Sequence, residues 1–125
     1  VRGLKESISN LSCENILECF YGLNESDIQT YKLLISRGEL RIEEISRESG
    51  KSENTVYKSL QKLMIAGIVL RDKKVIRGGG YYYTYKALSP PEVADDMERI
   101  LREWCVKVRN TIEEFRSKYG EVVRR

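Results

Sequence analysis

Between Pro91 and Gly120 the chain contains neither glycine nor proline, and this uninterrupted run limits what it can become. Ser89-Pro90-Pro91-Glu92 has the composition of a helix start. Ser suits the N-cap, Pro the first helical position, and Glu at the third position completes a capping box. Gly120 is the expected stop. A helix of about 30 residues is ~45 Å long, whereas the ~90 residues before it make a body only ~25–30 Å across. The helix is therefore expected to project and to need a partner. Met97, Leu101, Trp104, Val108, Ile112, Phe115 and Tyr119 step along it by fours and threes, close to a coiled-coil seam. The spacing predicts that residues 89–125 join two copies of the chain through those seven side chains.

The body is organised around Lys51–Gly67. Ser52 is an N-cap type, and Val56, Leu60, Leu63 and Met64 recur at i, i+4, i+7 and i+8, one face of an α-helix. The opposite face carries Asn54, Lys58, Gln61 and Lys62, flanked by Thr55 and Tyr57. These are hydrogen-bonding groups and cations rather than the Glu/Lys mixture of an ordinary solvated helix.

Upstream, Asn24 caps a helix with Asp27 three residues on, Ile28, Tyr31, Leu34 and Ile35 form its expected core face, and Gly38 ends it. Glu39-Leu40-Arg41 is short enough for a minor strand. Ile42–Ser49 reads as a second helix, packed through Ile42 and Ile45 and joined to the Ser52 helix by a glycine-containing turn. Downstream, Ile68-Val69-Leu70 and Tyr81–Tyr85 have strand composition and flank Gly78-Gly79-Gly80, with Lys73, Lys74 and Arg77 expected beside the tip. Alternation puts Tyr81, Tyr83 and Tyr85 on one side of the second strand and Tyr82, Thr84 and Lys86 on the other, one set over the core. Helix, turn, helix and hairpin make a winged helix, with Ser52–Ala66 as its recognition helix. Residues 2–21 show two short helical phases, Leu4/Ile8/Leu11 and Cys13/Ile16/Leu17/Phe20, broken near Asn10-Leu11-Ser12. Both stripes are narrow and need another element or another subunit.

Charge is unevenly placed. The net +3 of the chain divides into −3 over residues 1–50, +6 over 51–86 and 0 over 87–125. Positive potential gathered on the recognition helix and hairpin is what a phosphate-binding surface requires. No apolar run approaches the ~18 residues of a membrane span. Cys13, Cys19 and Cys105 form no C-x-x-C pair, and with no histidine a thiolate–imidazole zinc site is excluded. Their odd number suits a reducing compartment, and a cytoplasmic protein is expected. No cofactor is expected, and no effector can be read. Ser49-Gly50-Lys51-Ser52 imitates the end of a P-loop, but Ile45 stands where the first glycine belongs and a helix pattern precedes it. No Ser/His/Asp, Cys/His or paired-carboxylate arrangement points to an enzyme.

Gly22-Leu-Asn-Glu-Ser-Asp-Ile-Gln-Thr-Tyr-Lys-Leu-Leu resembles the opening of archaeal TrmB-type transcriptional regulators and of the small Lrs-type and MarR-like winged-helix proteins. So do Ile42-x-x-Ile45-Ser46, Ser52-x-x-Thr55-Val56-Tyr57-x-x-Leu60-x-x-Leu63 and Gly67-Ile68-Val69, and the likeness covers about residues 20–92. The resemblance implies sequence-specific DNA binding as a dimer. The large sugar-binding C-terminal domain of full-length TrmB regulators has no counterpart in residues 1–125, and residues 1–19 lie outside the pattern.

The expected fold is mainly α with a small β-hairpin (α+β). It comprises a helical extension over 1–21, a winged helix-turn-helix domain over 22–88 and a long dimerisation helix over 89–125. Asn54, Thr55 and Gln61 are the candidates for base edges. Lys51, Ser52, Tyr57, Lys58 and Lys62 are candidates for phosphates, and Lys73, Lys74 and Arg77 for the wing contact. The expected partners are double-stranded DNA and a second copy, with no membrane. A homodimeric transcriptional regulator that represses by covering a promoter needs nothing further. The alternatives are a winged helix used as a protein-interaction module, and a redox- or ligand-responsive sensor built on the same domain.

Overall fold

The computed structural model describes residues 3–123. In chain order the elements are α1 (Leu4–Ser9), α2 (Ile16–Tyr21), α3 (Glu25–Arg37), α4 (Ile42–Ser49), α5 (Glu53–Ile65), β1 (Val69–Val75), β2 (Tyr81–Ala87) and α6 (Pro90–Val123). The chain divides into two compact units, Val1–Pro90 and Pro91–Arg125.

The core of the first unit collects Leu23, Tyr31 and Leu34 at α3, Leu40, Ile45 of α4, Val56, Leu60 and Leu63 of α5, and Ile68, Val69 and Tyr85 of the hairpin. Burying each aliphatic side chain contributes about 1.5–3 kcal/mol, so three from α5 anchor that helix firmly. The turn between α4 and α5 is set by Gly50, which ends α4 in the left-handed region at φ 73°. A side chain there would be strained. Ser46 Oγ closes the turn by donating to the Lys51 carbonyl at 2.5 Å.

Leu40 forms a single antiparallel bridge with Tyr85, the minor strand expected at 39–41 reduced to one residue. Its N–H donates to the Tyr85 carbonyl at 3.0 Å, and Tyr85 N–H returns a bond at 2.8 Å. The Tyr31 hydroxyl donates to the Leu88 carbonyl at 2.9 Å, tying α3 to the exit of the hairpin.

Four details differ from the expectations. The buried face of α3 runs through Asp27, Thr30, Tyr31 and Leu34, while Ile35 is exposed. Polar residues hold places on that face because Thr30 Oγ1 donates to the Ser26 carbonyl and Asp27 is bonded throughout, so neither is buried unpaired. Tyrosine alternation along β2 is also incomplete: Thr84 and Tyr85 are both buried, although they point to opposite faces. The Leu40 segment adds a third edge at the hairpin base, and Thr84 Oγ1 donates to Glu39 there at 2.8 Å.

β1 extends to Val75, so Lys73 and Lys74 lie within the strand, opposite Tyr83 and Tyr82, rather than beside the tip. The facing rings cover the lysine stems and sustain the ladder. Finally, α6 passes through Gly120 to Val123. Gly120 is not among the positive-φ glycines. A helical glycine costs only about 1 kcal/mol against alanine, which does not end a helix unless the chain also turns left-handed.

Candidate nucleic-acid interface

The outward face of α5 depends on how its inward face is held. Asp27 is the third residue of α3; its N–H donates to Asn24 Oδ1 and its Oδ2 accepts from the Asn24 N–H, both at 2.9 Å. The same buried carboxylate accepts from Ser59 Oγ at 2.7 Å and pairs with Lys62 Nζ at 2.5 Å. One side chain thereby caps α3 and clamps α5. Burial pushes the Asp27 carboxyl up. The Lys62 ammonium, the Asn24 backbone N–H and the Ser59 hydroxyl outweigh that effect and leave the carboxyl below its ordinary value.

Ser52 caps α5, accepting from the Thr55 N–H at 3.1 Å, and its hydroxyl donates to Thr55 Oγ1 at 2.9 Å. Val56, Ser59, Leu60 and Leu63 face the core, and Met64 is half-buried. Asn54, Tyr57, Lys58 and Gln61 face outward. Gln61 Nε2 donates to the Tyr57 hydroxyl at 2.7 Å, which holds both side chains along the helix. Among the described residues Asn54 and Lys58 form no hydrogen bond or ion pair. Their amide and ammonium stand one turn apart on the same exposed side.

The other two lysines of this stretch are engaged. Lys62 turns to Asp27, and Lys51 Nζ donates to Ser26 Oγ at 2.9 Å and Gln29 Oε1 at 3.1 Å. Lys51 thus links the α4–α5 turn to α3.

On the hairpin, register places Arg71, Lys73 and Val75 on the same side as Tyr85, Tyr83 and Tyr81. The Arg71 guanidinium lies 4.2 Å from the Tyr83 ring centroid and the Lys73 ammonium 4.2 Å from that of Tyr81, while the two rings meet edge-on at 5.5 Å. Cations held over rings keep their charge and lose conformational freedom in advance of any ligand. On the other side, Lys74 pairs with Asp72 at 2.9 Å and approaches Glu39 at 3.8 Å. The neighbouring Asp72 carboxylate raises the Lys74 pKa, so this cation is already partly neutralised. Arg41 lies 4.2 Å over Tyr82. Arg77 is exposed in the tip, where Gly78, Gly79 and Gly80 all have positive φ.

Sequence patterning passed over Arg71, although alternation from Lys73 places it on the same face. It also passed over the clamp formed by Asp27 and Ser59, whose only trace is a polar residue at a core position of each helix.

In α6, Leu101, Trp104, Ile112, Phe115 and Tyr119 are exposed, and Met97 and Val108 are half-buried. The Phe115 and Tyr119 rings pack at 4.8 Å along the stripe. Cys13 and Cys19 are exposed and Cys105 is half-buried, all as free thiols. Among the described residues no helix is long and apolar enough to cross a membrane.

Known proteins share this arrangement. Two proteins of Methanocaldococcus jannaschii, Uncharacterized protein MJ1503 and Uncharacterized protein MJ1082, are 30% and 34% identical to the chain. The first match covers 90% of this chain and 85% of the relative, and the second covers 91% and 98%. A Possible transcriptional regulator from Methanosarcina mazei Go1 superposes with a TM-score of 0.71 at 23% identity, covering 83% of this chain and 88% of that one. A MarR-family protein from Enterococcus faecalis V583 superposes with a TM-score of 0.50 at 16% identity, over 91% and 93% of the two chains. These likenesses establish the winged-helix fold. Residues 17–91 match the family model described as Sugar-specific transcriptional regulator TrmB, and with that match spanning the clamp, α5 and the hairpin, the chain belongs to the TrmB family of transcriptional regulators.

Proposed function

We propose that the chain binds double-stranded DNA sequence-specifically as a homodimer and represses transcription by covering promoter DNA. The observation that carries this reading is the outward face of α5. Asn54, Lys58 and the linked Tyr57–Gln61 pair stand exposed on a helix whose opposite side is fixed by three buried aliphatic residues and a buried carboxylate. A rigid helix presenting amides and a cation suits the major groove, where each base pair offers a distinct pattern of donors and acceptors. Asn54, with Thr55 and Gln61, would reach base edges. Lys58, Tyr57 and Ser52 would hold phosphates, and Lys51 and Lys62 would chiefly keep α5 in place. Arg77, Lys73 and the neighbouring Arg71 would follow the backbone beside the hairpin. The exposed stripe of α6 supports the dimer, since seven large apolar side chains on one helix face are costly to leave in water.

Selection of bound sites from a random duplex library tests the whole reading, with a two-fold symmetric motif as the expected result. Failure to retain any duplex would favour a protein-interaction module instead. Residue roles are separated by titrating operator and scrambled duplex at one salt concentration. Asn54→Ala should cost about 1–3 kcal/mol on the operator and almost nothing on the scrambled duplex. Lys58→Ala should weaken both. Equal loss on both duplexes for Asn54→Ala would remove that residue from base readout.

A further inference from the structure

The steps of the α6 stripe, four, three, four, four, three and four, close twice on eleven residues. Met97, Val108 and Tyr119 are spaced by eleven, as are Leu101 and Ile112, and Trp104 and Phe115. An eleven-residue repeat has about 3.67 residues per turn and drifts slightly right-handed, whereas a heptad repeat winds to the left. The stripe therefore stays on one face along the helix.

The step sequence also reads the same in both directions about Val108. A second α6 laid antiparallel meets equal spacing in every layer. Met97 falls opposite Tyr119, Leu101 opposite Phe115, Trp104 opposite Ile112, and Val108 opposite its own copy.

A parallel copy would match in spacing as well, so charge has to choose between the two. Asp96, Lys107 and Lys118 flank the stripe on one side, and Glu98, Arg109 and Arg116 on the other. In a parallel pair opposite flanks meet at the same level. Asp96 would then face Glu98, Lys107 would face Arg109, and Lys118 would face Arg116, with like charges in all three bands. In an antiparallel pair equal flanks meet at mirrored levels, which brings Asp96 to Lys118 and Glu98 to Arg116. Only the central band then meets its own sign. Within one chain Asp96, Arg116 and Lys118 make local pairs with Arg99, Glu113 and Glu114. Such exposed pairs are weak and leave these charges available. Flanking charges of this kind set partner orientation in helix pairs.

We propose that the α6 stripe is occupied by α6 of a second copy, antiparallel and in register at Val108. The proposal rests on the homodimer reading and adds its geometry.

Cross-linking of the full chain tests it. In a background carrying Cys13→Ser, Cys19→Ser and Cys105→Ala, single cysteines are introduced as Val108→Cys, Met97→Cys or Tyr119→Cys. Under mild oxidation Val108→Cys should cross-link with itself. Met97→Cys and Tyr119→Cys should each stay uncross-linked alone and cross-link when mixed. Self-linking of all three variants would establish a parallel pair and overturn the proposal. A dimer by sedimentation with no cross-link at any position would move the interface off the stripe, overturning the proposal and leaving the homodimer standing. A monomer by sedimentation would overturn both.

A cysteine-independent measurement gives a second answer. Asp96→Lys with Glu98→Lys should weaken self-association at least about ten-fold, and adding Arg116→Glu with Lys118→Glu should restore it. Self-association unchanged by the first pair would contradict the antiparallel arrangement.

Discussion

α5 and α6 are both amphipathic helices with an apolar residue every three or four positions, yet their stripes have different fates. Val56, Leu60 and Leu63 of α5 are wholly buried, whereas Leu101, Trp104, Ile112, Phe115 and Tyr119 of α6 remain exposed. α5 also buries Ser59, matched by a carboxylate from α3, and no described residue of α6 is paired in that way. Periodicity shows that a helix has a face to cover. It does not show whether the cover comes from the same chain. In α5 the stripe secures the helix and frees its polar side for a ligand, while in α6 the stripe is itself the surface left to be bound.

The sharpest way to break this contrast is to make the α6 stripe polar. Trp104→Glu with Val108→Glu should abolish self-association, a loss of at least about 3 kcal/mol since two large side chains per copy lose their burial. Sedimentation velocity checks it, and the urea midpoint of residues 1–90 should not move. A variant that still dimerises would place the interface elsewhere.

The second test is made on α5. Asp27→Ala removes the α3 cap and the clamp on Ser59 and Lys62 together, and should destabilise the fold by about 2–3 kcal/mol in urea titrations. Lys62→Ala should act in the same direction with smaller effect on DNA than Lys58→Ala, because Lys62 is turned to Asp27 and Lys58 is not.

The wing repeats the distinction between engaged and available cations. Lys73→Ala and Arg77→Ala should each lower the slope of log affinity against log salt by about 1. Lys74→Ala should leave it nearly unchanged, since Asp72 already neutralises that ammonium. Equal effects of all three variants would show that DNA displaces the Asp72 pair.

The smallest effect is the acid response of the clamp. Asp27 titrates below its ordinary 3.8 in the folded chain. On acidification the unfolded chain therefore takes up this proton first. The stability that Asp27 contributes is complete above that ordinary value and is lost as pH falls through it toward the lower folded one. Urea midpoints measured from pH 7 down to about pH 3 should fall less steeply for Asp27→Asn than for the parent.

Much of this molecule is written locally. The Asn24 and Ser52 caps, the left-handed Gly50, the start of α6 at Pro90 and the apolar positions of α5 depend on residues within one or two turns. Patterning therefore located them without any knowledge of the fold. The expected stop at Gly120 failed for a related reason. Glycine permits a left-handed turn but does not compel one, and exposed helix loses little by continuing through it.

Tertiary structure alone decided which polar groups are already engaged. Lys58 and Lys62 are indistinguishable in composition and close in spacing, but only Lys62 lies within reach of Asp27, a residue on another helix. Lys73 and Lys74 differ in the same way, one over a tyrosine ring and the other between two carboxylates. Hydrogen bonds and ion pairs act over about 3–4 Å. Which cation remains available to a ligand is therefore settled by residues far apart in the chain that folding brings together.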